Sequence, residues 1–360
     1  MRIVIATGGT GGHIFPALSL LEEIKRKKYS YLIVADKRFN NFKNAMSDDL
    51  NVKIVQSSGF SGSVINRLMS LFRLFYGTIQ TLLIFKKFKP NIVVSFGGYP
   101  AIPSMLSAKI LNIPLVIQEP NSVVGQASKI FLGSAAAVAC SFEHTQGIAK
   151  TQNVYLTGTP VRSSILEVRK QAYPKLSNSS KINILVIGGS QGAKILGQVL
   201  PLAFTKLPDA IRKRLKITQQ VRSEDIEAVK KIYKKHDIDA KIESFFVDMD
   251  IKLAEAHLVI CRAGATTIAE LIAVGRPSVL VPIAASKENH QVLNAEWLVT
   301  NNAGWMITES DFSIEKCAKQ LERILKDDKT IELFAQQARG LFLDSSNILL
   351  GLIEKYCTSA

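Results

Sequence analysis

Cysteine is scarce in this 360-residue sequence: Cys140, Cys261, Cys317 and Cys357 lie far apart and form no CxxC pair. That spacing excludes a zinc ribbon, a redox dithiol and a disulfide scaffold, and it fits a reducing compartment. No uninterrupted apolar run reaches the roughly 18–20 residues of a membrane span. The opening residues, MRIVIATGG, hold no charged segment followed by a long apolar one, so no signal peptide is expected. Short-period repeats and low-complexity tracts are missing. So is the pattern GxxxxGK followed by Ser or Thr, which disfavours a phosphate-loop nucleotide hydrolase. Hydrophobic residues make up 47% and charged residues 21%. That balance excludes a disordered or collagen-like chain, and the length suits two domains with a core each.

Acidic residues are also missing where it matters. None occurs from Leu50 to Gln118, a window that holds Lys53, Arg67, Arg73, Lys86, Lys87, Lys89 and Lys109. Residues 1–162 carry 18 Lys/Arg against 7 Asp/Glu, a net of +11; residues 163–360 carry 27 against 23, a net of +4. A one-sign field of this width attracts a polyanion: nucleic acid, an anionic membrane or phosphates. Residues 65–85 read as one helix or two short ones, with Leu68, Phe72, Phe75, Ile79 and Leu82 at 3–4 spacing and expected to face the core. Leu71, Leu74 and Phe85 then fall on another side, beside Arg67 and Arg73 and ahead of Lys86 and Lys87. Surplus apolar residues next to basic ones suit a surface lying on anionic lipid. The plainer alternative is a core helix with a solvated basic face. Nucleic acid is not an expected partner, because no recognition motif accompanies the charge.

Two halves repeat one pattern. RIVIAT (2–7) runs into GGTGGH and a helix over about 16–27; INILVI (182–187) runs into GGSQGAK and a helix over about 195–207. YLIVA (31–35), IVVSF (92–96), PLVIQ (114–118), HLVIC (257–261) and SVLVP (278–282) read as buried parallel strands. Strand–helix alternation of this kind predicts two doubly wound α/β domains of Rossmann type, facing across a cleft. The boundary falls after TGTPVR (157–162), giving domains over 1–162 and 163–343. A closing helix, over about 344–360, is expected to pack back on the first domain.

A glycine-rich turn between a parallel strand and a helix lets backbone N–H groups approach a phosphate, and the helix N-terminus adds partial positive charge. One such turn is weak evidence, but here each half opens on one. Neither is GxGxxG in register. Asp36 follows the first at a distance that leaves a dinucleotide dehydrogenase open as an alternative. A third turn, FGGYP, follows IVVSF, and a fourth, CRAGATTIAE, follows HLVIC. In the fourth, residues 264–267 open the next helix and Glu270 stands one turn on, where it can accept from a ribose diol; an ordinary capped helix start is the bland reading. His13 titrates near neutrality and fits either a general base or a structural helix start. Asp248-Met249-Asp250 matches a metal–diphosphate DxD, but it precedes a helix, where Asp is expected as cap. No bound metal and no cofactor is expected.

In this order, GGTGGHIFPAL, FGGYP, QEPN, TGTPVR, GGSQGA, CRAGATTIAE and HQVLNA resemble the bacterial MurG family of N-acetylglucosaminyltransferases, from Gly8 to Ala295. The resemblance implies the GT-B fold. It also implies transfer, with inversion, of N-acetylglucosamine from UDP-N-acetylglucosamine to the muramoyl C4 hydroxyl of lipid I, giving lipid II. It implies work at the cytoplasmic face of the plasma membrane, in contact with an anionic surface and with other cell-wall synthesis proteins. By the same resemblance, Phe246 contacts uracil through its backbone and Glu270 holds the ribose. Ser190 and the turn of Ala265, Thr266 and Thr267 grip the diphosphate beside Arg162, Ile268 and Ala269 also belong to the substrate site, and Gln291 reads the sugar. Thr10, Gly11, Gly12 and Asn121 complete the reaction centre, with His13 and Glu119 as the two catalytic candidates. Pro120, Thr159 and Ala263 depart from the family's usual Gln, Asn and Ser. Another GT-B lipid glycosyltransferase and a non-catalytic nucleotide-sugar-binding subunit are the alternatives.

Overall fold

A computed structural model describes residues 1–45, 50–59, 63–149, 151–177, 180–189, 192–284, 286 and 289–358. The chain divides into two compact units, Met1–Arg162 with Leu343–Ala360, and Ser163–Phe342. Unit 1 is built on seven strands: β1 (Arg2–Ala6), β2 (Ser30–Ala35), β3 (Val52–Ile54), β4 (Ile92–Ser95), β5 (Leu115–Glu119), β6 (Ala137–Cys140) and β7 (Val154–Leu156). They form one parallel sheet in the order β3-β2-β1-β4-β5-β6-β7. Unit 2 repeats the plan with β8 (Ile182–Ile187), β9 (Leu215–Gln220), β10 (Asp239–Glu243), β11 (Leu258–Cys261), β12 (Ser278–Leu280) and β13 (Gly304–Met306). Its order is β10-β9-β8-β11-β12-β13, again parallel throughout.

Both sheets reverse direction of winding at one place. In unit 1 it lies between β1 and β4, which pair with Ala6 opposite Ser95; in unit 2 it lies between β8 and β11, with Ile187 opposite Cys261. At such a switch point the connecting loops leave in opposite directions and open a crevice at the strand C-termini. The four glycine turns of the sequence follow these four strands.

The helix Gly11–Arg26 (α1) covers one face of the unit 1 sheet, packing on Ile3 and Ile5. The C-terminal helix Ser345–Thr358 lies against α1 and adds Leu349, Leu350, Leu352 and Ile353 to the same core, a burial of roughly 1.5–3 kcal/mol per side chain. Its polar edge is tied down where Glu354 accepts from the Tyr29 hydroxyl at 2.8 Å.

The other face is covered by helices Val64–Phe88 (α2) and Ile102–Ile110 (α3). Here the structure corrects the sequence reading. Leu74 and Phe85, expected on a lipid-facing side, are core residues at 7% and 1% exposure. Leu68, Phe72 and Phe75, expected in the core, are exposed at 61%, 67% and 65%, and Leu71, Tyr76, Ile79 and Leu83 join them at the surface. The side chain of Arg67 lies outside the described residues. The reason for the reversal is a stripe of small residues. Gly77 allows α2 to approach so closely that a Cβ there would stand 1.9 Å from the Gln56 carbonyl oxygen. Ser70, Thr78 and Thr81 share that buried side because each hydroxyl donates to the carbonyl four residues back, at 2.8 Å, and so enters the core already satisfied. Although Arg73, Gln80, Lys86 and Lys87 interrupt it, Leu68–Phe88 of α2 is long and apolar enough on average to cross a membrane, with mean hydropathy 1.5. Its buried stripe is nonetheless part of the unit 1 core.

In unit 2, Arg276 is buried and donates to the carbonyls of Leu253, Ala254 and Val274 at 2.7–2.9 Å. Burial pulls its pKa down to about 10, so it stays charged and complements the C-terminal end of the helix Ala265–Val274.

Gly77→Ala is expected to cost about 1–3 kcal/mol through overpacking against backbone that cannot move aside. A urea midpoint equal to that of the parent would contradict this packing.

Candidate active site

In unit 1, Gly8 and Gly9 follow β1, both at positive φ, and α1 begins two residues later. A Cβ on Gly8 would come within 2.8 Å of both Asp36 Oδ1 and Pro100 Cβ, so only glycine turns the chain here. Asp36, at the end of β2, accepts from the Gly9 N–H at 3.1 Å and from Arg38 Nε at 2.5 Å. Both of its oxygens are engaged inside the protein, which removes the ribose-reading role that a dehydrogenase requires. Thr10 precedes α1 without a side-chain cap, and Gly11 and Gly12 form its first turn beside the ring of Phe15. The guanidinium of Arg162 lies 4.9 Å over that ring.

His13 sits in the first turn of α1 with its imidazole against Gly97 and Gly98 of FGGYP. Its Nδ1 is shielded from solvent and has no hydrogen-bond partner. Burial lowers its pKa below the usual 6.5; the Phe96 backbone opposes that and the charge of Arg38 reinforces it. The imidazole is therefore neutral at pH 7, the form that accepts a proton.

Glu119 behaves in the opposite way. At the end of β5 and 2% exposed, it accepts from the Asn121 N–H at 3.2 Å, the Asn121 amide at 3.4 Å and the Gly125 N–H at 2.9 Å. Burial lifts the carboxyl from its ordinary 4.5 to about 7, against the lowering pull of those donors and of the Ser128 hydroxyl. Both oxygens are spent on its own loop. Glu119 thus shapes the QEPN turn and orients Asn121.

In unit 2, the second glycine turn is held the same way. Gly188, where a Cβ would meet Ala193 N at 2.1 Å, donates to Gln220 Oε1 at 3.1 Å. Gln220 Nε2 in turn donates to the carbonyls of Gly189 and Ser244 at 3.1 and 3.2 Å, joining this turn to the segment that carries Phe246. Phe246 has a buried ring with the Lys252 ammonium 5.0 Å above it. Ser190 lies outside the described residues. The helix Ala265–Val274 starts from Gly264, which has no side chain to cap it. Ala265 and Ile268 face the core, while Thr266, Thr267, Ala269 and Glu270 are half-buried on the other side. Gln291 accepts from the Ile283 N–H at 3.1 Å, and Asn294 donates to the Ala263 carbonyl at 3.2 Å. Asp248 is paired with Lys252 at 3.1 Å, and Asp250 is in the first turn of the helix Met249–Glu255.

Sequence reasoning missed Gln220 and also Arg262. The Arg262 guanidinium pairs with Glu309 at 2.6 Å and donates to the Val281 carbonyl at 3.0 Å, while Glu309 accepts from the Ala284 N–H at 2.9 Å. This bridge ties the CRAGAT turn to the segment leading to Gln291. A buried glutamine closing a strand was the available signal for Gln220; for Arg262, whose partner is 47 residues on, there was none.

Paired glycine turns at the switch points of two parallel sheets are the architecture of a GT-B glycosyltransferase. The sequence matches the glycosyltransferase family 28 N-terminal domain over residues 3–140 and the family 28 C-terminal domain over residues 183–345, and the chain belongs to this family. It is 37% identical over 337 residues to the UDP-N-acetylglucosamine--N-acetylmuramyl-(pentapeptide) pyrophosphoryl-undecaprenol N-acetylglucosamine transferase of Erythrobacter litoralis (strain HTCC2594), covering 93% of this chain and 84% of that one. The protein of the same name from Zymomonas mobilis is 36% identical over 357 residues, covering 98% and 92%. Among solved structures, Acinetobacter baumannii MurG superposes with a TM-score of 0.79 at 25% identity, covering 98% of this chain and 99% of that one. The UDP-GlcNAc 2-epimerase of Neisseria meningitidis, at 12% identity and TM-score 0.68 over 99% and 100%, shares the fold alone.

The folded state binds the Glu119 proton more tightly than the unfolded chain does. The stability this group contributes is therefore complete below about pH 4.5 and lost as pH rises through about 7. Relative to the parent, Glu119→Gln is expected to gain melting temperature steadily from pH 5 to pH 8. A difference that stays flat with pH would show that the carboxyl is not held this way.

Proposed function

We propose that this chain transfers N-acetylglucosamine from UDP-N-acetylglucosamine to the muramoyl C4 hydroxyl of lipid I, with inversion, to make lipid II. The carrying observation is the pair of family 28 domains whose four glycine turns all stand at strand ends flanking the two switch points. The names of the relatives supply the substrates.

In this reading unit 2 holds the donor. The backbone at Phe246 meets uracil, Glu270 accepts from the ribose diol, and Gln291, fixed by Ile283, turns its amide toward the sugar. As the bond to the sugar breaks, negative charge grows on the leaving UDP. The first-turn N–H groups at Ala265–Thr267 and the turn at Gly188–Gly192, with Ser190, stabilise it; the helix dipole adds to this, and no metal is required. The transition state is oxocarbenium-like, by analogy with glycoside hydrolysis. In unit 1, His13 is the base: it is neutral, it stands at the glycine turn, and one ring nitrogen has no partner. Glu119 positions Asn121. Thr10, Gly11, Gly12 and Arg162 belong to the same centre.

The exposed apolar residues of α2, with Arg73, Lys86 and Lys87, form the surface that meets the cytoplasmic side of the membrane. Leu71 belongs to it, and Leu74 and Phe85 do not.

Purified protein with UDP-N-acetylglucosamine and a lipid I analogue is expected to give the disaccharide in excess chelator. His13→Ala is expected to lower kcat by about 10²–10⁴ while leaving UDP binding in place. A requirement for added divalent metal, or a His13 variant within threefold of the parent, would end those assignments. Phe72→Gln combined with Phe75→Gln is expected to lower co-sedimentation with anionic vesicles several-fold; equal sedimentation would remove α2 from the membrane surface.

A further inference from the structure

In unit 2 the middle of three adjacent strands ends on a side chain that holds the loops following both of its neighbours. Gln220 closes β9, which lies between β8 and β10 in the sheet. Val186 pairs with Gln219 on one side and Glu243 with Gln220 on the other, so the second glycine turn and the segment after β10 leave the sheet on either side of it. The amide spans both. Its Oε1 accepts from the Gly188 N–H at 3.1 Å, and its Nε2 donates to the Gly189 carbonyl at 3.1 Å and to the Ser244 carbonyl at 3.2 Å. Gln220 is buried, so these partners satisfy it in place of water.

The chemistry of the position is specific to glutamine, which carries one acceptor and two N–H donors on a flat group at the end of a two-carbon stem. Ionised glutamate lacks the donors, asparagine is one carbon short, and a reversed amide would set its NH2 against the Gly188 N–H. The stem starts from a fixed point, because the neighbouring Gln219 is fully buried, accepts from the Tyr233 hydroxyl and donates to the Leu196 carbonyl at 3.3 Å. The two loops differ in what else holds them. Within the glycine turn the Gly192 N–H donates to the Gly189 carbonyl at 3.1 Å, and Gly188 is packed so closely that a Cβ would stand 2.1 Å from Ala193 N. Residues 244–247 have fewer holds. Among the described residues, the bond from Gln220 is the one hydrogen bond to their backbone. The Phe246 ring is buried, but Phe245 and Val247 on either side are 62% and 91% exposed. The placement of this stretch relative to the turn therefore depends on the Gln220 amide.

We propose that Gln220 is a positioning residue for the donor: it sets the spacing between the backbone that meets uracil and the turn that takes the diphosphate, so that base and diphosphate are recognised as one unit. The proposal rests on the donor reading above and adds to it the group that couples the two contacts. A ligand that touches both segments must hold them at one spacing, and without the amide its affinity is reduced by the entropy of that ordering. A ligand that touches the turn alone is spared that reduction.

The test is calorimetric titration of the full chain with UDP, ADP and inorganic pyrophosphate, comparing the parent with Gln220→Met, which keeps the length and removes all three hydrogen bonds. The parent is expected to bind UDP more tightly than ADP. In the variant, UDP is expected to bind at least tenfold more weakly and pyrophosphate less than threefold more weakly. UDP binding within threefold of the parent's, or a loss for UDP no greater than that for pyrophosphate, overturns the role. Gln220→Glu is the second variant. It keeps the length and the acceptor, and its charge opposes both diphosphate probes alike, so the ratio of UDP to pyrophosphate affinity reports the lost donors. That ratio is expected to fall at least threefold, and an unchanged ratio overturns the coupling even where Gln220→Met fails to fold. A purely structural side chain would lower the melting temperature and the fraction of protein able to bind, and would leave the ratio alone. A parent that binds UDP no better than ADP strikes the donor reading and the proposal with it. That outcome is read from the parent, so it is distinct from a failure of Gln220 alone.

Discussion

No side chain can stand where β1 and β8 end. At Gly8 and Gly188 the backbone passes so close to its surroundings that a Cβ would collide, and the path of each turn follows from that closeness. The two units hold the turn by the same device. The strand lying beside the first one, away from the switch point, ends in a buried polar residue that accepts from the turn's own N–H: Asp36 from β2 for Gly9, Gln220 from β9 for Gly188. A glycine turn is conformationally permissive, and a single buried acceptor selects one geometry from that freedom. The chemical difference between the two acceptors matters. Asp36 brings a charge, and with it Arg38; Gln220 brings an amide that reaches on to Ser244 and organises the neighbouring loop.

His13 and Glu119 show how burial divides two titratable groups. The same desolvation lowers the imidazole and raises the carboxyl, so that at neutral pH the first is uncharged and the second is near its midpoint. Their hydrogen bonds then separate their tasks. Glu119 is surrounded by N–H donors of its own loop, whereas His13 keeps a ring nitrogen unclaimed. Distance from the chemistry in sequence says nothing of this; the accounting of donors and acceptors does.

Helix α2 inverts the usual rule for a domain helix. Leu68, Leu71, Phe72, Phe75, Ile79 and Leu83 face out, whereas Ser70, Thr78 and Thr81 face in beside Leu74 and Phe85. Close approach through Gly77 and self-satisfied hydroxyls recover by contact what they lack in area. That outward apolar surplus is the observation on which the proposed membrane contact rests.

The amino-acid order alone determined the two-domain α/β plan, because buried parallel strands are short apolar runs and glycine turns mark their ends. Strands β1, β2, β4, β5, β8, β11 and β12 were legible for that reason. The strands β3, β9 and β10 were not, since VKI, LKITQQ and DAKIE mix polar and apolar residues as half-covered or edge strands do, and the alanine-rich β6 and the short β7 and β13 carry too little signal. Motif order likewise brought out the family and most of the residues around the glycine turns. Only the tertiary structure decided which face of α2 is buried, that Asp36 holds a turn instead of a ribose, and that Glu119 is sealed in its own loop. It alone joined Arg262 to Glu309. Periodicity reports which residues share a side; which side is covered depends on how near a neighbour can come, and that is set by residues distant in the chain.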